Sequence, residues 1–360
     1  MSVEITPTYG GDNLMMIESG NESCANLNDA VHAAPLSAQE QVLADLKERY
    51  GTIDYVFCGY GIASHFPNCY VVPGKNDEET ARRRQAHFDG VWASIVARLK
   101  PKMAFPFAAD VAIVEDELAW ANEPVHNGQR PTDAYLKAHP DGATQVYDIA
   151  PGFVVENGKV LSEKLFRPFS LEEFRTGRPD DVRIANTVTS PSAEEVEALA
   201  ERVRENVALC AQRLGEYSGD YAFLIELKRA ETAIAIRKKN RDISVEIVPS
   251  DAPRGRHDIV FTTRLSYLRR ALNTPYGYEV IFVGSGGVFT YRDRSSADAN
   301  LHLELTPLLR KLDRPYPSRY GDQPRWLYAL KTGIKSLLGR SAVASDDLYD
   351  LKNWIVYRND

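Results

Sequence analysis

Ile53-Asp-Tyr-Val-Phe-Cys-Gly-Tyr-Gly-Ile-Ala-Ser-His-Phe-Pro-Asn-Cys69 is the stretch on which the fold turns. Ile53 to Cys58 is a short apolar and aromatic run of strand length, and Gly59, Gly61 and Pro67 convert it into a loop. Upstream, Ser37-Ala-Gln-Glu40 has the spacing of a helix-capping box, and Val42, Leu43, Leu46 and Tyr50 recur at helical intervals until Gly51. Downstream, Asp77 to Leu99 predicts a long helix with Phe88, Trp92, Ile95 and Leu99 on one face, and Met103 to Phe107 a second buried strand. Val3-Glu-Ile-Thr6, Leu14-Met-Met-Ile17 and Cys24-Ala-Asn-Leu27 precede these as three short strands separated by turns, a meander. The alternation of strand and helix predicts a layered α/β fold.

The chain has 360 residues, 44% of them hydrophobic and 26% charged, which is room for two ordinary domains with buried cores. A net charge of −7 argues against a nucleic-acid surface, and Arg82-Arg-Arg84 lies beside Asp77, Glu78 and Glu79 as one solvated helix face. No apolar run approaches the roughly 20 residues that span a bilayer, and Met-Ser-Val-Glu-Ile-Thr-Pro7 lacks the regions of a signal peptide, so the expected location is the cytoplasm. Cys24, Cys58, Cys69 and Cys210 show no C-x-x-C spacing and read as free thiols; Cys58 and Cys69 flank the glycine-rich loop as small hydrophobes.

Residues 108–190 are rich in Pro, Gly, Asn and Asp and read as an irregular excursion that closes a first domain of residues 1–190. A second, α+β domain is expected over 191–313. Ser192-Ala-Glu-Glu195 is a capping box ahead of a stripe formed by Val196, Leu199, Val203, Val207 and Leu214. Tyr221 to Leu227 and Thr232 to Arg237 form a predicted hairpin, and Ile243–Val248, Asp258–Thr263 and Tyr278–Val283 three further strands, with short helices after Thr263 and Ser296. Gly284-Ser-Gly-Gly287 follows a predicted strand, but Val288-Phe-Thr-Tyr291 continues as strand, so it is a hairpin or bulge rather than a phosphate loop. Residues 314–360 form a tail, helical from about Trp326 to Leu338.

Four motifs then carry a resemblance: the strand ending Asn26-Leu-Asn-Asp29, the loop Gly61-Ile-Ala-Ser-His-Phe-Pro67, the strand end Pro106-Phe-Ala108, and Asp141-Gly-Ala-Thr144 followed by Ala150-Pro-Gly152. In order and spacing, residues 1 to about 165 resemble the C-terminal half of a metallo-β-lactamase-fold domain, in the branch that includes cytidine monophosphate-N-acetylneuraminate hydroxylase. Residues 192–310 are similar, less specifically, to sterol-carrier-like domains. The implied architecture is the second half of an αββα sandwich followed by a smaller α+β domain.

The resemblance implies metal-assisted chemistry with zinc, iron or manganese, either hydrolysis by a metal-bound hydroxide or metal-dependent oxidation. Asp29 aligns with the family's metal-bridging aspartate, and His32 and Asp110 are further candidate ligands. The 59–70 loop and the 120–130 excursion would shape the pocket of a polar small-molecule substrate, through Tyr60, Ser64, His65, Asn68, His126 and Asn127. Each has a plainer reading: a turn or cap for Asp29 and Asp110, a solvent-facing side chain for His32 and His65, a turn for His126 and Asn127. None of the seven histidines forms the family's H-x-H pair, Pro106-Phe107 stands where its last histidine would be, and no C-x-H pair exists for a Rieske cluster. The expectation is therefore a C-terminal part or subunit of a metalloenzyme, truncated or completed by a separate chain that carries the N-terminal ligands. The alternative is a non-catalytic binding or scaffold protein that holds an apolar ligand or a partner in its C-terminal domain.

Overall fold

The computed structural model describes residues 1–8, 12–32, 34, 36–61, 70–107, 112–123, 128–282, 286–293, 295–296, 301–321, 324, 326–327, 329–331 and 334. The chain is of the mixed α/β class and divides into two compact units, Met1–Ala63 with Ala81–Ala185, and Ser64–Thr80 with Asn186–Asp360. Nothing in the local sequence of residues 64–80 separates them from their neighbours.

The first unit is built on a six-stranded sheet of β1 (Ser2–Pro7), β2 (Asn13–Ser19), β3 (Glu22–Asn28), β4 (Tyr55–Gly59), β6 (Met103–Phe107) and β7 (Gln145–Val146), in that order; β5 is the Tyr70–Val71 strand of the second unit. β1, β2 and β3 form the antiparallel meander that the turns predict, and β3, β4, β6 and β7 are parallel. Helices α1 (Leu36–Tyr50) and α2 (Asp77–Leu99) connect the parallel strands. α1 begins at Leu36, one residue before the expected cap, so Ser37 lies in its first turn. Gly51 ends it in the left-handed region, φ +64°, where its N–H donates to Lys47 O at 2.9 Å.

Alternation along the strands sends Leu14, Met16, Ala25, Leu27, Val56, Cys58 and Ala104 to the helix side. There they pack with Leu43 and Leu46 of α1 and with Trp92, Ile95 and Leu99 of α2, on the stripe predicted for that helix. The excursion is less irregular than its composition suggests. It contains α3 (Pro131–Ala138), the hairpin of β8 (Val154–Glu156) and β9 (Lys159–Ser162), α4 (Leu171–Gly177) and α5 (Pro179–Asn186). Local capping accounts for two of these helices: Pro131 opens α3 behind an extended Arg130, and Ser170 Oγ accepts the Glu173 N–H ahead of α4.

The second unit orders its sheet as β12 (Asp242–Pro249), β11 (Thr232–Lys239), β10 (Tyr221–Leu227), β13 (Ile259–Thr263), β14 (Gly287–Tyr291) and β5. The β10–β11 hairpin turns through Arg229 at φ +63°. α6 (Ala193–Leu209) carries the predicted capping box, Ser192 Oγ accepting the Glu195 N–H while the Glu195 carboxylate accepts the Ser192 N–H. Ser192→Ala should cost about 1 kcal/mol in a thermal or urea unfolding experiment; an unchanged midpoint would count against that cap. Leu214 falls beyond a break at Cys210, in α7 (Ala211–Glu216).

α8 (Leu265–Asn273) follows Thr263 as expected, but the strand expected over 278–283 is instead a short helix, α9 (Glu279–Phe282). A brief apolar run fits either state, and the close approach of Gly277 to the Arg270 carbonyl turns the chain directly off the end of α8. Strand resumes at Gly287, seated on the Phe261 ring, but a helix and not a strand precedes it, so the expected hairpin does not form; residues 283–285 lie outside the described set. β5 is an unanticipated edge strand, parallel to β14, with the Tyr70 ring stacked on Phe289 at 5.4 Å. α10 (Leu301–Leu305) closes this core. The tail helix expected over 326–338 lies mostly outside the described residues.

Candidate functional site

In open α/β sheets, ligands are met at the C-terminal ends of parallel strands, and here β3, β4 and β6 end together. At the end of β3 the pairing register shifts between Asn26 and Asn28, and Asn28 takes φ +38° while its N–H donates to Asn26 Oδ1 at 3.1 Å. A non-glycine residue in that region is strained backbone. The turn it starts carries Asp29 and His32.

His32 is fully buried, not solvent-facing, with its ring edge-on to Phe88. Its Nε2 lies 2.6 Å from Gly61 O. A carbonyl only accepts, so Nε2 donates to it, and Nδ1 is buried without a hydrogen-bond partner among the described residues. The backbone of Gly59 lies so close that a Cβ there would stand 3.0 Å from that nitrogen. Asp29 Oδ1 is 3.9 Å from His32 Nε2, with 46% of the Asp29 side chain exposed. Burial raises the Asp29 pKa, Asp12 raises it further and His32 opposes both. Carboxyl-carbon NMR should therefore find Asp29 titrating above the usual aspartate range, and Asp12→Asn should move it down; an ordinary value in the native chain would contradict this geometry.

Near this turn lies a part-buried polar cluster. Arg130 grips Asp148 through both oxygens, Nε to Oδ2 at 2.5 Å and Nη2 to Oδ1 at 2.9 Å, and Nη2 donates to the Tyr60 hydroxyl at 2.7 Å. Its guanidinium also lies 3.9 Å from the centre of the Phe166 ring. Asp89, on α2, is fully buried: Gln85 Nε2 donates to Oδ1 at 2.9 Å, and Oδ2 has no hydrogen-bond partner among the described residues. Burial pushes its pKa up to about 7. Phe166 also lines a cavity of about 390 Å³ with Phe169, Phe174, Arg167 and Glu173.

Of the residues expected at the site, the structure brings together Asp29 and His32. Tyr60 is buried and supports Arg130 rather than walling an open pocket. Ser64, His65, Asn68, Asp110, His126 and Asn127 lie outside the described residues. Arg130, Asp148 and Asp89 were missed. Asp89 lies three residues before Trp92, on the buried stripe of α2, but as a carboxylate it adds nothing to the apolar pattern that marks that stripe.

Tested against zinc, iron or manganese, the described donors do not fit. Such sites need three or more protein ligands, and among the described residues no group of three His, Cys, Asp or Glu side chains comes together to hold an ion. Asp29 is an accessible carboxylate, but the proton of His32 Nε2 is committed to Gly61 O and its Nδ1 is shut against Gly59. No metal-dependent step is assigned to these residues. Among the described residues no helix is long and apolar enough to cross a membrane.

No protein-family model matches the chain, and no curated protein matches it. One solved structure is similar, the solution structure of a conserved hypothetical protein from Thermus thermophilus described as a candidate sterol carrier protein. It has 12% sequence identity, covers 36% of this chain and 99% of its own, and its TM-score is 0.20, too low for the likeness to carry an argument. None of these comparisons supports the metallo-β-lactamase resemblance.

Proposed function

We propose that this chain is one part of a small-molecule enzyme and is inactive by itself: its first unit presents Asp29 to a site whose remaining groups come from elsewhere. One observation carries the reading. A strained turn at the end of β3 holds a half-exposed carboxylate of raised pKa against a fully buried histidine, without the further donors that would complete a metal site among the described residues. Strain and perturbed ionisation concentrate where groups are positioned for chemistry. The substrate class is a polar small molecule, which a carboxylate binds through hydroxyl or amine groups or serves as a proton acceptor.

The apolar-ligand alternative draws less support. The space between sheet and helices in the second unit is filled by the chain's own Phe223, Phe261, Phe289 and Tyr291, packed with Leu199, Val203 and Leu268, so a lipid would have to displace them. Equilibrium dialysis of the full chain against zinc, iron(II) and manganese(II), each in turn at micromolar concentration, separates the readings. Substoichiometric metal is expected; one equivalent bound tightly by the chain alone would show a complete ligand set and overturn the proposal.

A further inference from the structure

Among the described residues, the side of the first unit's sheet that faces away from α1 and α2 is covered over only part of its width. On that side, two rows of side chains cross the strands: Val3, Ile17, Cys24 and Tyr55 in one, Ile5, Met15, Asn26 and Phe57 in the other. Over β4 and β6 the rows are roofed by Ile149, Phe153 and Val155, which with Cys24, Tyr55, Phe57 and Phe105 enclose a cavity of about 180 Å³. Over β1 no described residue forms a roof, and Val3 is 52% and Ile5 65% exposed. β1 is also a sheet edge, its described pairing being to β2 alone. Native proteins usually guard such an edge with lysine, proline or a covering element; here Pro7 stands at its last position and no lysine lies on it.

Charge says what kind of surface fits. Residues 1–63 hold nine acidic and two basic residues; Glu40, Asp45 and Glu48 are on α1, across the sheet from this face, Glu4 is paired with Arg49 and Asp54 with Lys102, so the acidic character of this face rests on Glu22 and Asp12. The two basic residues, Lys47 and Arg49, are in the last turn of α1, and Arg49 is already paired with Glu4 and Asp45. Glu22 stands on the uncovered face itself, in β3, and Asp12 in the turn beyond β1.

We infer that this face docks a separate protein that adds a β-strand to the β1 edge, lays apolar side chains over Val3, Ile5, Met15 and Ile17, and brings lysine or arginine to the acidic rim. The open edge supplies main-chain hydrogen bonds, the apolar rows supply buried area, and the rim selects a basic partner. The 180 Å³ cavity begins where the roof ends, at Cys24, and has the size to take one apolar anchor residue, since engineered cavities of about 150 Å³ accept benzene. Burial pushes the Cys24 thiol up to about 11, so this is a packing contact and not a reactive one. The inference stands on the sheet face alone and survives failure of the metal-dialysis test.

The experiment uses the full chain and three capped peptides: alternating lysine and valine, alternating glutamate and valine, and lysine and leucine in a helical pattern. NMR amide shifts and hydrogen exchange locate binding. The lysine–valine peptide should bind and protect β1 amides at least roughly tenfold, as strand addition requires. Val3→Lys combined with Ile5→Lys should weaken binding by roughly tenfold or more while β3 and β4 amides keep their native protection; Ile5→Thr alone gives a milder second variant. The inference is overturned if the glutamate–valine or helical peptide binds as well, if the variants bind undiminished, if the chain forms a β1-dependent dimer in sedimentation instead, or if β1 binds anionic phosphatidylglycerol vesicles in preference.

Discussion

Asp89→Asn should make the protein more stable at pH 8 than the native chain, by up to about 4 kcal/mol, and leave it nearly unchanged at pH 4. The folded chain holds the Asp89 carboxyl in the interior, where desolvation is the largest influence and lifts its pKa to about 7. The charges that face it act in both directions. Arg130 favours the carboxylate, Asp148 and Asp133 oppose it, and Gln85 donates one hydrogen bond to it. In the unfolded chain the same group titrates at about 3.9. Between these values the folded state binds the proton and the unfolded state has lost it, so native stability falls as pH rises from about 4 to about 7 and levels off above. Asparagine cannot ionise and removes that slope while keeping the acceptor for Gln85. Urea titrations at pH 4, 6 and 8 read the effect directly, with the denaturant slope as a control on cooperativity; parallel stability profiles for the two proteins would refute a buried, neutral Asp89.

Asp89 also shows where sequence reading stopped. The stripe of α2 was legible because Phe88, Trp92, Ile95 and Leu99 are apolar at helical spacing, and β4 and β6 because they are compact apolar runs between glycines and polar turns. A carboxylate on the same stripe gives no apolar signal, so it is assigned to the solvent side. Arg130, Asp148 and Tyr60 meet across separations of 18 and 70 residues, and pairs of that kind have no local period to detect. The same holds for β5: two residues, Tyr70 and Val71, join a sheet whose neighbouring strand begins at Gly287. Asp29 was legible as a polar residue ending an apolar strand. The burial of His32 was not, because only the approach of Gly59 and Gly61 from the next strand encloses it. The strand expected over 278–283 failed for a third reason, a run too short to separate the two periodicities.

Gly59→Ala should destabilise the first unit by about 3 kcal/mol, at the upper end for an overpacked site, and should disturb Asp29 as well. A Cβ at this position would stand 2.8 Å from the Asn28 carbonyl oxygen and 2.8 Å from His32 Cε1. Neither neighbour yields cheaply. Asn28 belongs to β3, paired with β4 at Cys58, and already sits at a positive φ; His32 is pinned by the 2.6 Å contact from Nε2 to Gly61 O and by Phe88. Relief therefore means either parting β3 from β4 or pushing the imidazole off Gly61, and both move the turn that carries Asp29. Gly90→Ala is the internal comparison: nothing lies within 4 Å of its added Cβ, it sits in the interior of α2, and the change should stabilise by up to about 1 kcal/mol through helix propensity. The same chemical edit thus has opposite expected signs 31 residues apart. Urea unfolding followed on β4 amides reads both, and the Asp29 carboxyl shift reports whether the site moved. A Gly59→Ala protein with native stability and an unshifted Asp29 would show that the close approach of β4 to His32 does not hold this turn.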